Sequence, residues 1–164
     1  MNLPTALVTI ATREIGTSEV NGTNCGPRVN LYKSATNLPP TEPWPWCAAF
    51  VCWCVRQAMA AAGIPETSTF RRPVTAGAWD FENWSLRQDG TTSTRRGPGN
   101  DIKSGDIVIF TFSHIGIATG PPDADGIVPT IEGNTDGHGS REGGAVLAKR
   151  RHISRIRSRI RFTV

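Results

Sequence analysis

The sequence is poor in the features that mark a secreted scaffold, a metal protein or a membrane protein. Its N-terminus, MNLPTALVTIATREIG, has no basic leader, and its apolar run is broken by Pro4, Thr5, Thr9 and Thr12. It therefore reads as neither a signal peptide nor a membrane span, and any export needs help from elsewhere. Cysteine is sparse: Cys25, Cys47, Cys52 and Cys54 are separated by 22, 5 and 2 positions. That spacing fits neither a dense disulfide framework nor the paired C-x-x-C groups of a zinc ribbon, so reduced thiols are expected. Cys52 and Cys54, two apart on a helix, would point about 200° away from each other, which argues against a shared metal. The run DADG at 123–126 carries only the start of a calcium loop and reads as a turn. No metal and no cofactor is expected. A net charge of 18 − 14 = +4 welcomes an anionic partner without choosing one. With no nucleic-acid motif and no continuous basic helix, nucleic acid is not expected as a partner, and neither is stable membrane insertion.

What is present suits a soluble, loop-rich α+β chain: 38% hydrophobic and 20% charged residues, with 17 glycines and 12 prolines in 164 residues. A chain of this length buries about 68–70% of its unfolded surface as one domain without staples, and residues 1–164 are expected to form a single domain with no linker and no second domain. Leu3, Leu7, Ile10 and Ala11 mark one face of a helix over 3–15 that Gly16 ends. A short helix is expected over 27–34, and a central, apolar one over 45–62, opened by Pro45 and stopped by Gly63. A further helix is expected over 74–84. The polar run RQDGTTSTRRGPGN at 87–100 reads as an exposed loop. Strands follow at 106–112, 114–119 and 127–132, then in AVLAKRR and SRIRSRIRFTV. The last alternates arginine with apolar residues and reads as an edge strand with one buried face, its basic charge blunting edge pairing and adding some attraction to an anionic partner. Helices packed on a later antiparallel sheet are thus the expected architecture.

The stretch EPWPWCAAFVCWCVRQAMAAAG puts Cys47 in the first turn of the central helix, where unpaired backbone N–H groups and the positive end of the helix dipole favour a thiolate. Cys52 and Cys54 lie deeper and read as core, and Cys25 as structural, with a disulfide or a place near the cleft as alternatives. A cysteine nucleophile also needs an imidazole and a group to orient it. Of the histidines at 114, 138 and 152, His114 stands at a strand start and shares a face with Gly116 and Ala118, which leave room over its ring. In PTIEGNT, Glu132 and Asn134 point the same way, and either could accept an imidazole N–H. Trp44 and Trp46 flank Cys47 and read as lining a substrate groove, whereas Trp79 and Trp84 read as core.

Three blocks, WPWCAAFVCWC, SGDIVIFTFSHIGIATG and IEGNTDGHGSREGGAV, together resemble the CHAP family of cysteine amidohydrolases and peptidases, of the small bacteriophage endolysin type. The resemblance runs from about residue 13 to the end and includes REIGTSEVNGTNCGPRVNLY. It implies a papain-like α+β fold, with Cys47 as nucleophile, His114 as general base, Glu132 as third member and Asn134 as a further orienter. It also implies a monomeric hydrolase of bacterial peptidoglycan, acting as N-acetylmuramoyl-L-alanine amidase or as stem or cross-bridge endopeptidase. Family members often carry Gln before the cysteine as an oxyanion donor; Trp46 stands there in this chain. The backbone N–H of Cys47 supplies one donor, and Asn24, in the turn the resemblance covers, is the candidate for a second. A catalytically inactive wall-binding module, and a cysteine protease or injected toxin on the same fold, are the alternative readings.

Overall fold

The computed structural model describes residues 1–88, 90–97, 101–138 and 143–164. Helix α1 (Leu3–Arg13) begins at Asn2, whose side chain accepts the Thr5 N–H at 3.0 Å and so satisfies a first-turn donor. Its buried residues, Leu3, Ala6, Leu7 and Ala11, form one stripe. Helix α2 (Pro27–Lys33) is short, and α3 (Cys47–Ala62) is the central element. Helix α3 starts two residues later than expected, because Trp46 keeps a non-helical backbone (φ −119°, ψ 16°) and makes Cys47 the first helical residue. Gly63 closes it in the left-handed conformation (φ +68°), which costs a glycine little. Helix α3 buries nearly its whole girth, from Cys47 to Val55 and again at Ala58 and Met59, because α1 and α2 pack on one side and the sheet on the other.

The sheet contains β1 (Thr92–Arg96), β2 (Ile107–Phe110), β3 (Ile115–Ala118), β4 (Ile127–Thr135), β5 (Ala145–His152) and β6 (Ile156–Phe162). Their order across the sheet is β1-β6-β2-β3-β4-β5, and every pairing is antiparallel. Ile107, Ile109, Ile115, Ile117 and Ile131 face the helices, while Val108, Phe110, Ala118 and Val128 belong to a second apolar cluster with Ile102 and Ile156. The architecture is the expected α+β one, helices first and an antiparallel sheet afterwards. No helix among the described residues is long and apolar enough to cross a membrane.

Several expectations are corrected. The run at 87–100 is not all loop: residues 92–96 form edge strand β1, while residues 89 and 98–100 of that run lie outside the described residues. As an edge strand, β1 buries little, so it carries no apolar alternation to be read. The C-terminal strand is not an edge but lies between β1 and β2. Its buried face is as expected, Ile156, Ser158, Ile160 and Phe162. Its arginines are paired rather than offered to an anionic surface: Arg157 with Glu82 (2.9 Å), Arg159 with Asp101 (2.7 Å) and Arg161 with Asp106 (2.6 Å). Finally, the helix expected over 74–84 begins only at α4 (Asp80–Leu86). Thr75 competes with helix formation by accepting the Gly77 N–H at 3.1 Å and donating to Asp80 at 3.3 Å. Trp84 is core as expected, but Trp79 is 42% exposed, its indole N–H donating to the Phe110 carbonyl at 3.1 Å and the Arg157 guanidinium over its ring at 4.4 Å.

Candidate active site

Packing of α3 on β3 and β4 brings three of the residues singled out in the sequence to one place. Cys47, on the first turn of α3, opens into a cleft of about 330 Å³ lined by Leu38, Trp44, Pro45, Ala76–Ala78 and Ser113. His114 precedes β3 and is fully buried. Ser113 before it is held at φ +46°, an uncommon backbone state for a residue with a side chain, and the turn it makes leads the chain from the cleft lining into the interior. The imidazole Nε2 lies 3.0 Å from Glu132 Oε2. Among the described residues its other nitrogen, Nδ1, is buried without a partner at hydrogen-bond distance, and the Cys47 thiol is close enough to act strongly on the ring.

The carboxylate of Glu132 is held from three directions. Arg151 donates from Nε to Oε1 at 2.8 Å and from Nη2 to Oε2 at 2.5 Å, Thr130 donates its hydroxyl to Oε1 at 2.7 Å, and His114 occupies the remaining side of Oε2. Burial by itself would raise the Glu132 pKa; Arg151 and His114 outweigh it and bring the group down to about 2. Burial would likewise lower that of His114, but the attraction of Cys47 and Glu132 raises it to about 9, so the ring is held as an imidazolium at neutral pH.

Two glycines make the juxtaposition possible. A Cβ on Gly116 would come within 2.8 Å of Glu132 Cγ, so the room expected beside His114 is taken up by the Glu132 side chain. A Cβ on Gly133 would meet Phe50 Cβ at 2.7 Å, and its absence lets α3 press onto β4. Asn134, fully buried with φ +55°, sits where the β4–β5 register shifts between Glu132 and Thr135. The acceptor on the imidazole is Glu132.

The remaining candidates divide. Trp44 lines the cleft, its indole N–H given to the Pro39 carbonyl at 2.8 Å. Trp46 does not reach the cleft: it is fully buried, stacks on Tyr32 with ring centroids 5.6 Å apart, and donates its N–H to Glu19 at 2.9 Å. Its indole is therefore committed to the core and unavailable as an oxyanion donor. Asn24 is not among the cleft-lining residues either; its carbonyl accepts from the buried Lys33 ammonium, which also bonds the Glu42 carbonyl and lies 4.9 Å from the Trp44 ring. Lys33 thus ties the 24–25 turn to the segment that leads into Cys47. All four cysteines are free thiols. Cys52 and Cys54 are core, burial pushing both thiols well above the ordinary range, and Cys25 donates to the Thr41 carbonyl at 3.5 Å.

Sequence reading missed Arg151, Lys33, Ser113 and the Ala76–Ala78 wall. Arg151 lay inside AVLAKRR, where nothing distinguishes it from its basic neighbours; only the β4–β5 pairing carries it to Glu132.

No curated protein matches the sequence. Residues 39–134 match the family model described as the CHAP domain, a span that holds Cys47, His114, Glu132 and Asn134. That span is more than half of the chain and is folded as helix α3 against an antiparallel sheet; the chain belongs to the CHAP domain family, a family of peptidoglycan hydrolases.

Proposed function

We propose that the protein hydrolyses an amide bond in the peptide part of bacterial peptidoglycan, with Cys47 as nucleophile, His114 as general base and acid, and Glu132 as the carboxylate that orients it. The observation that carries this reading is a single buried ring with Glu132 3.0 Å from Nε2 and Cys47 acting on the other side. Cys47 attacks the scissile carbonyl as a thiolate, and the C–N bond breaks as His114 gives its proton to the leaving amine. The neutral imidazole then takes a proton from water, whose oxygen attacks the thioester, and the acyl group leaves as a carboxylate. The oxyanion is held by first-turn N–H groups of α3, which have no acceptor within the helix. Among the side chains lining the cleft, Ser113 carries a hydroxyl suited to be the second donor, since the Trp44 N–H is already given to Pro39. Such an enzyme, made in a host cytoplasm, reaches the wall by holin-type release or delivery from outside.

Mass spectrometry of fragments released from purified wall tests the reading, with Cys47→Ala as control. A new N-terminal alanine on fragments with intact lactyl groups on the glycan means amidase, and a cut within the stem or cross-bridge means endopeptidase. Equal release by Cys47→Ala would overturn the proposal.

The pH dependence follows with definite sign. The His114 contribution to stability is fully present below the unfolded value near 6.5 and is lost as pH rises through about 9. The Glu132 contribution is present above its unfolded value of 4.5 and is lost as pH falls through about 2. Hydrolysis should fail on the same alkaline limb, near pH 9, as the imidazolium is lost. A series of melting temperatures and rates across that range checks both, and a rate still level well above pH 9 would contradict the ion pair.

A further inference from the structure

Arg151 takes no part in the chemistry proposed above, yet the geometry singles it out. It lies on β5, beyond the residues matched by the family. Its side chain is 13% exposed, so water competes little for its hydrogen bonds. Both Nε and Nη2 bind Glu132, one on each oxygen, the bidentate arrangement that fixes the plane of a carboxylate as well as its place. The same guanidinium lies 5.2 Å from the ring centroids of Phe110 and of Phe112. Those two rings are nearly parallel to the His114 imidazole, with centroids 5.7 and 5.8 Å from it. One cation therefore grips both the carboxylate that binds Nε2 and the aromatic wall beside the ring.

We infer that Arg151 is a positioning residue for the reaction: its fork fixes Glu132, and through Glu132 the tilt of His114, so that Nδ1 is presented to Cys47. This rests on the Cys47, His114 and Glu132 reading above. Without the fork, Glu132 keeps, among the described residues, only Thr130 and His114 and is free to turn about its last torsion, carrying the imidazole with it. The charge has a second consequence. Among the described residues, the titratable and charged groups around the ring are Cys47 from α3, Glu132 from β4 and, through Glu132, Arg151 from β5; Arg155 lies 5.2 Å from the Phe112 ring beyond them. Removing the Arg151 cation leaves Glu132 facing the imidazole alone, which favours the protonated ring.

The test uses the full chain and a soluble muropeptide substrate, comparing wild type, Arg151→Met, Arg151→Lys and Cys47→Ser. For Arg151→Met the expected result is a kcat lowered by about 10²-fold at unchanged KM, because misorientation on the ångström scale acts on the chemical step. Its alkaline limb should move to higher pH. Arg151→Lys restores the charge but not the fork, and should keep the wild-type limb with a kcat between the other two. If Arg151→Met does not fold, the lysine variant still decides: wild-type kcat in Arg151→Lys overturns the role of the fork. Wild-type kcat in Arg151→Met, or a lowered kcat with an unmoved alkaline limb, likewise overturns the inference and leaves Arg151 a structural residue. Activity retained in Cys47→Ser would instead overturn the underlying catalytic reading, so the two failures are told apart.

Discussion

Replacing His114 by alanine is expected to lower muropeptide release by about 10²–10⁴-fold, the usual contribution of a positioned general acid and base. The size follows from its double duty, since the same nitrogen both receives the thiol proton and returns it to the leaving amine. The fold should survive. Removing the ring leaves a void between Phe110, Phe112 and Cys47, but Glu132 retains Arg151 and Thr130 and so does not become an unpaired buried charge. Release rates read beside circular dichroism and a melting curve separate loss of chemistry from loss of structure. A folded His114→Ala protein that works at the wild-type rate would remove His114 from the mechanism.

The second large effect is expected from a single added methyl group. In Gly133→Ala the new Cβ would lie 2.7 Å from Phe50 Cβ and 2.8 Å from Phe50 Cγ, and neither atom is at the free end of a flexible chain. Helix α3 must therefore lift from β4, at about 1–3 kcal/mol, the usual range for overpacking a core. Cys47 lies one turn earlier on that helix, where the Phe50 N–H binds the Trp46 carbonyl at 2.9 Å, so it moves with Phe50 and away from the imidazole. A displacement of about 1 Å is enough to cost about 10²-fold in rate. Gly137→Ala is the control, because among the described residues nothing lies within 4 Å of a Cβ added there. A Gly133→Ala protein with wild-type melting temperature and activity would show that the close approach of α3 is not needed.

How far the site could be read in advance depended on how local its signals are. Cys47 stood out because its neighbours on either side, prolines and tryptophans before and a helix-forming run after, place it at a helix start; Trp46, outside the helix, made that start sharper. His114 and Glu132 stood out because they open or occupy strands whose alternation is plain. Trp46 and Asn24 lie outside the cleft lining for the opposite reason. Adjacency to Cys47 suggested a groove for Trp46, but the backbone turn at its non-helical φ directs the indole to Glu19 and Tyr32. Arg151 was invisible because it is 19 residues from Glu132, and the sequence between them includes the turn that pairs β4 with β5.

By itself, then, the order of residues determined the periodicities: an apolar helix with a cysteine at its first turn, and alternating strands with a histidine and a carboxylate on them. These are local, because 3.6-residue and two-residue repeats are properties of short segments. Only the tertiary structure decided which strand is the edge, that the arginines of β6 are neutralised by Glu82, Asp101 and Asp106, and that Arg151 closes on Glu132. Strand order and long-range ion pairs join residues tens of positions apart, and the free energy that selects them is the burial and pairing of whole faces, which no short stretch of sequence contains.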